Sequence, residues 1–168
     1  MQGAAELIEE ANSENIPVAV ITNQSGIDRG MFGWRDFAGV TERIDALLAV
    51  KGAVIDAVAA CPFHPDFTSD FSARHAEWRK PAPRMIEAIA TGLNADRARS
   101  WMIGNSGSDM EAAEAAGLAG GILIGGDQEN RPGTFVVIAS ALDKIVTRGW
   151  LRPRSAAQAR NSRAQRRR

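Results

Sequence analysis

The chain has one cysteine, Cys61, no tyrosine and only two histidines, His64 and His75, among 168 residues. A single thiol cannot close an internal disulfide, so a disulfide-stapled secreted scaffold is excluded. No apolar run approaches the length of about 20 residues that a membrane-spanning helix needs. The first ten residues carry Glu6, Glu9 and Glu10 in a helical pattern, where a secretory signal would show basic residues followed by an apolar core. A cytoplasmic location is the expectation. Proline is sparse, and charge of either sign is absent in excess, because 20 basic and 20 acidic residues cancel.

That neutrality hides an uneven distribution. Arg148, Arg152, Arg154, Arg160, Arg163, Arg166, Arg167 and Arg168 crowd the last stretch without an acidic neighbour. Setting these eight aside leaves 12 basic against 20 acidic residues, a body of net charge −8. Residues 148–168 combine arginine with Ala, Gln, Asn and Ser and have almost no apolar payload after Leu151, a composition that predicts disorder. Such a tail serves solubility, self-association with the acidic body, or nucleic acid. No aromatic interleaves the terminal arginines, which argues against stacking on RNA bases.

Residues 1–147 hold what composition expects of one soluble domain, 45% hydrophobic and 24% charged over the whole chain. Ala4 to Asn12 places Leu7, Ile8 and Ala11 on one helical face, and Asn15 with Pro17 closes the link to a strand at Val18 to Thr22. Trp34 to Val50 reads as a second helix with Phe37, Val40, Ile44, Leu47 and Leu48 at spacings of three and four. Val54 to Ala60 has strand length, and Cys61 to Glu77 is a long irregular loop of the kind that often carries function. A helix opens at Pro83 with Met85, Ile86, Ile89 and Ala90 as its buried stripe and Gly92 as its stop. A strand at Trp101 to Ile103, a helix from Ser108 to Ala116 ended by Gly117, a strand at Gly121 to Ile124, a strand at Phe135 to Ile138 and a helix from Ser140 to Val146 complete the order. Strands alternating with helices predict a doubly wound α/β sheet, mostly parallel, with helices on both faces.

Three stretches carry chemistry. Val18-Ala-Val-Ile-Thr-Asn-Gln-Ser-Gly-Ile-Asp-Arg-Gly30 is an apolar run that stops at a hydroxyl, two amides and a glycine, as a buried strand does when it delivers polar groups to a ligand at its carboxyl end. Trp78-Arg-Lys-Pro-Ala-Pro-Arg-Met85 sets a lysine between an arginine and a proline, and Trp101-Met-Ile-Gly-Asn-Ser-Gly-Ser-Asp-Met110 ends a strand in a glycine and a polar turn. In this order the three resemble the motifs of the haloacid dehalogenase (HAD) superfamily of phosphatases, and among them the branch that holds the heptose bisphosphate and histidinol-phosphate phosphatases. The resemblance covers roughly residues 1 to 145.

The resemblance implies a three-layer Rossmann-like sheet with a minimal cap and a site that hydrolyses sugar-phosphate monoesters. It places Thr22 and Asn23, with Gln24 and Ser25, around a phosphoryl group, since neutral donors stabilise phosphate oxygens without charge. Lys80 takes the phosphate-neutralising position and Arg79 faces the far end of the substrate. The Mg²⁺ position falls on Asn105, where the family has aspartate, and on Asp109. For Asp109, helix capping competes with metal or lysine pairing. The zinc-binding relatives have a Cys-x-His and a Cys-x-Cys pair, and here Phe63, Ala76 and Trp78 stand with Cys61 in those positions, so no zinc is expected.

The family's first motif, a strand ending in Asp-x-Asp that carries the nucleophile and lies centrally in the sheet, has no counterpart before Val18. The resemblance therefore leaves three readings. The chain is part of a phosphatase whose first strand lies elsewhere, a pseudo-enzyme that binds a small phosphorylated metabolite without turnover, or a domain retained for interaction. Asn105 and the absent Asp-x-Asp together favour inactivity of the chain as it reads, because phosphomonoester hydrolysis demands both nucleophile and acid–base catalyst. The strands ending at Thr22 and Ile103 should lie in one sheet and bring Thr22, Lys80 and Asn105 to a common rim. The sheet should either close around the gap or leave two open edges.

Overall fold

The computed structural model describes residues 3–67, 73–124 and 134–135. The elements run α1 (Ala4–Ser13), β1 (Ala19–Asn23), α2 (Trp34–Ala49), β2 (Ala57–Cys61), α3 (Arg84–Gly92), β3 (Trp101–Gly104), α4 (Gly107–Ala115), β4 (Gly120–Ile124) and β5 (Thr134–Phe135). Short 3-10 turns at Ala76–Trp78 and Arg97–Arg99 precede α3 and β3. The helix expected at Ser140 to Val146, most of the strand expected at Phe135 to Ile138, and the arginine-rich tail lie outside the described residues.

All strand pairing among the described residues is parallel, and it falls into two sheets. β1 pairs β2 with Thr22 opposite Ala60, and β3 pairs β4 with Ile103 opposite Ile122, while β5 adds to the far side of β4. Among the described residues β1 and β3 do not pair, which corrects the expectation of one sheet and, of the two alternatives for the gap, leaves the one with two open edges. The reason is visible in the ladders. Asp56 N–H donates to the Val18 carbonyl at 2.7 Å and Gln24 N–H to the Cys61 carbonyl at 2.7 Å, so even-numbered β1 residues face β2. Alternation turns the backbone of Ile21 and Asn23 to the opposite edge. On β3, Ala119 N–H donates to the Ser100 carbonyl at 2.9 Å, so the even positions face β4 and Ile103 faces the other way. An open strand edge of β1 and one of β3 thus remain unjoined by any ladder among the described residues.

Helices hold the two sheets together. On one side Ile86 of α3 and Ala112 of α4 form a buried cluster against which Ile21 of β1 and Met102 of β3 both pack. Ala4 and Leu7 of α1 pack against Ile122 and Ile124 with Trp101 and Ile103, while the other end of α1 reaches the β2 side, where Asn12 Oδ1 accepts from Val54 N–H at 2.7 Å. Shared apolar packing, not sheet hydrogen bonding, couples the halves.

The helix boundaries follow from local chemistry. α1 ends with Asn15 at a positive φ of 58°, its N–H on the Asn12 carbonyl and that of Ile16 on the Ala11 carbonyl, the paired bonds of a Schellman closure. α3 ends the same way at Asn94, φ 51°, with Ala95 N–H on the Ala90 carbonyl. Gly92, read from sequence as the stop, instead lies inside the last turn, because asparagine also tolerates the left-handed conformation. One apolar stripe is not buried: on α2 only Leu48 reaches the core, while Val40, Ile44 and Leu47 are exposed. Periodicity marks that face as apolar, but among the described residues no element covers it.

Candidate functional site

β1 ends in Thr22 and Asn23, and two side-chain amides hold the turn beyond it in place. Asn23 Oδ1 accepts from the Lys80 N–H at 3.0 Å, and its Nδ2 donates to the Lys80 carbonyl at 3.1 Å. This two-way bond ties the end of β1 to the Arg79–Lys80–Pro81 segment, where the Lys80–Pro81 peptide is cis. Gln24 Nε2 donates to Thr22 Oγ1 at 2.9 Å. The Thr22 hydroxyl, already an acceptor there, keeps its own proton for an incoming anion.

The Lys80 side chain runs to the open edge of β1. Its Nζ donates to the Ile21 carbonyl at 3.2 Å and to Asp109 Oδ1 at 2.6 Å. The ammonium therefore spans from β1 to α4, the helix after β3. Two of its three N–H groups are spent among the described residues, and one is left to donate. Both side chains of the pair are largely buried, 13% exposed for Lys80 and 6% for Asp109.

Asp109 is the most heavily bonded carboxylate at the rim. Its Oδ2 accepts from Asn105 N–H at 3.0 Å, Ser106 N–H at 3.1 Å and Ser106 Oγ at 2.9 Å. Ser106 is in turn the α4 N-cap, accepting from Asp109 N–H at 3.3 Å, so the two residues form a capping box. Burial is the strongest single influence on the Asp109 carboxyl and pushes its pKa up, but the hydrogen bonds from Lys80 and Ser106 with the charge of Lys80 outweigh it and hold the pKa below the usual carboxylate range. Capping and lysine pairing, alternatives in the sequence, are both present. Gly104 makes room for the arrangement: a Cβ there would lie 2.4 Å from Asp109 Cβ.

The geometry therefore assembles Thr22, Asn23, Gln24, Lys80 and Asp109, with the Asn105 backbone, at the carboxyl ends of β1 and β3. Ser25 sits in the turn after them, its carbonyl accepting from Arg29 N–H at 3.1 Å. Arg79 turns toward the loop after β2, where Nη1 donates to the Phe63 carbonyl at 3.0 Å. The Asn105 side chain belongs to an exposed residue. Cys61 is buried at the end of β2, and that burial raises its thiol pKa despite a Phe63 backbone bond and nearby Arg79. Two participants, Ser106 and the Ile21 carbonyl, are not marked by the motifs. The Ser-x-x-Asp spacing of Ser106 and Asp109 carries a signal for the first, and no sequence pattern marks a backbone carbonyl.

Mg²⁺ usually takes one or two carboxylates in an octahedral shell of oxygens. Here Asp109 offers oxygens already engaged by Lys80 and three other donors, Asn105 offers only an amide, and no group of three His, Cys, Asp or Glu side chains suited to a metal occurs among the described residues. The described donors do not fit the ion by themselves. Among the described residues no helix is long and apolar enough to cross a membrane.

Comparison with known proteins points one way. A HAD-hydrolase-like family model matches residues 77–134. The chain is 41% identical over 126 residues to a D-glycero-beta-D-manno-heptose-1,7-bisphosphate 7-phosphatase of Mesorhizobium japonicum, covering 75% of this chain and 58% of that protein. The protein of the same name from Rhodopseudomonas palustris is 42% identical over 120 residues, covering 71% of this chain and 67% of that protein. The chain thus spans about three fifths of the former's length and two thirds of the latter's. Among solved structures, a HAD-like phosphatase from Mesorhizobium loti superposes with a TM-score of 0.80 at 34% identity, over 92% of this chain and 76% of the other. A D,D-heptose 1,7-bisphosphate phosphatase from B. bronchiseptica, complexed with magnesium and phosphate, gives 0.74 at 25% identity over 88% and 84%.

Proposed function

Because the chain belongs to the HAD-like phosphatases, we propose that its rim of Thr22, Asn23 and Lys80 is the phosphate-holding half of a site for a phosphorylated sugar of the heptose 1,7-bisphosphate type. The single observation that carries this is the Lys80 ammonium, which is largely buried between β1 and α4, bonded to Asp109 and the Ile21 carbonyl, and has a third N–H that no described residue takes. A preorganised cation beside a free hydroxyl proton holds phosphate oxygens at little reorganisation cost. The similar proteins' names support a bisphosphorylated heptose, and a cytoplasmic setting suits such a metabolite.

Catalysis needs more. Phosphomonoester hydrolysis is accelerated by up to about 10²¹-fold in enzymes, and a positioning lysine alone falls far short. Asp109 is the one carboxylate on the Lys80 ammonium among the described residues, and its oxygens are already bonded, so it is not poised to attack phosphorus. A second carboxylate carried on a strand between β1 and β3 would meet the phosphate opposite Lys80 and add the ligand that Mg²⁺ requires. In this reading the 168-residue chain binds the sugar phosphate and does not hydrolyse it. The alternative, a domain kept for interaction only, is favoured by the exposed α2 stripe.

Calorimetric titration of the chain with inorganic phosphate, beside a release assay on heptose 1,7-bisphosphate with Mg²⁺, tests the reading. Saturable binding that Lys80→Ala abolishes, without phosphate release, is expected. Binding indifferent to Lys80→Ala would leave only the interaction domain, and robust release by the chain alone would require a nucleophile this geometry does not provide.

A further inference from the structure

The turn after β1 and the loop after β2 meet beside the rim in a cluster that the phosphate reading does not use. Arg29 Nη2 lies 2.7 Å from His64 Nε2, and its guanidinium sits 5.2 Å from the centre of the Phe67 ring. The His64 and Phe67 rings are 5.3 Å apart and tilted by 53°. His64 N–H donates to Asp28 Oδ2 at 3.3 Å, which fastens the loop to the turn that carries Arg29.

A guanidinium only donates, so the Nε2 that it meets offers its lone pair. Arg29 is thus held between an imidazole nitrogen and an aromatic face, and among the described residues no carboxylate makes an ion pair with it. Arg79 is held in like manner by the carbonyl of Phe63, the residue next to His64. Two guanidinium groups, each tethered to the loop after β2, keep their charge for something else.

We propose that His64 is a positioning residue that presents Arg29 to a second anionic group on the ligand whose first phosphate rests at Lys80. The inference depends on the phosphate site proposed above and adds what selects a doubly phosphorylated sugar over a singly phosphorylated one. His64 touches no ligand. It fixes the direction of a long side chain that would otherwise sample many rotamers, and ordering it beforehand removes that cost from binding.

Titration of the full chain with fructose 1,6-bisphosphate, fructose 6-phosphate and inorganic phosphate as probes tests this. The expected result is a preference for the bisphosphate that falls about tenfold in His64→Ala, the size of one charge-assisted contact, and equally in Arg29→Gln, an exposed position whose substitution leaves the fold intact. His64→Gln, whose amide oxygen also accepts from Arg29, should restore most of the preference, and inorganic phosphate should bind all variants alike. A preference unchanged in both His64→Ala and Arg29→Gln, with phosphate still bound at Lys80, overturns the proposal alone. Loss of inorganic phosphate binding from the unmodified chain overturns the underlying site as well.

Discussion

Replacing Asp109 by asparagine keeps its shape and removes one charge, and the hydrogen bonds around it set what that costs. The carboxylate serves four donors: Lys80 Nζ on one oxygen, and Asn105 N–H, Ser106 N–H and Ser106 Oγ on the other. An amide has one acceptor and one donor end. Whichever way it turns, either Lys80 loses its partner or the Asn105 and Ser106 donors meet an NH₂ group. Breaking a buried ion pair on one side costs about 3–5 kcal/mol, against a total domain stability of about 5–15 kcal/mol. With a urea slope near 2 kcal/mol per molar, the unfolding midpoint of Asp109→Asn should drop by roughly 1.5 M or more. The sign of the pH dependence adds a second check. Because the folded pKa of Asp109 is lowered, its stabilisation is complete above the ordinary carboxylate value of about 3.9 and is lost as pH falls through the lower folded value. The gap between native and variant should therefore be wide at neutral pH and close in acid. A midpoint shift below about 0.5 M, equivalent to roughly 1 kcal/mol at that slope, or a gap that widens in acid, would mean that the Lys80–Asp109 pair does not stabilise the fold.

The same geometry yields two further outcomes. Gly104→Ala puts a Cβ 2.4 Å from Asp109 Cβ, so it should push the carboxylate off Lys80 and weaken phosphate binding along with stability. Phosphate titration beside thermal melting separates it from an ordinary strand substitution, which would alter only the melt. A synthetic peptide with an apolar strand followed by Asp-x-Asp should raise the melting temperature by several degrees if it seats between the open edges of β1 and β3, because unpaired strand edges are costly when enclosed. No gain from a cooperatively folded monomer would mean that the two sheets have settled apart.

Much of the fold is legible in the sequence, and the parts that are not have physical reasons. Alternating apolar segments locate β1, β2, α3, β3 and β4 to within a few residues, because each is built by local propensity and bounded by turn residues such as Asn15, Asn94 and Gly117, all at positive φ. Thr22, Lys80 and Asp109 are marked as one site by family resemblance, and the structure brings them within hydrogen-bond reach of one another's neighbours. Composition and spacing alone would not join them, since 57 residues separate Asn23 from Lys80. The division into two sheets is legible only as one of two alternatives, because pairing depends on which edges meet in space, and a strand's sequence does not say whether both its edges are filled. The exposed face of α2 escapes for the same reason: an apolar stripe records what a helix prefers to bury and not whether anything covers it. The role of His64 is hidden as well, since a loop histidine beside a proline looks like surface until Arg29 is placed against it.

Lys80, poised between β1 and Asp109, is the proposed receiver of phosphate. Backbone-amide NMR of the full chain during titration with inorganic phosphate tests it most directly. Saturable shifts confined to Thr22, Asn23, Gln24, Lys80 and Asn105, abolished in Lys80→Ala while the rest of the spectrum is unchanged, are the predicted result. Shifts that leave this rim untouched and survive Lys80→Ala would contradict it.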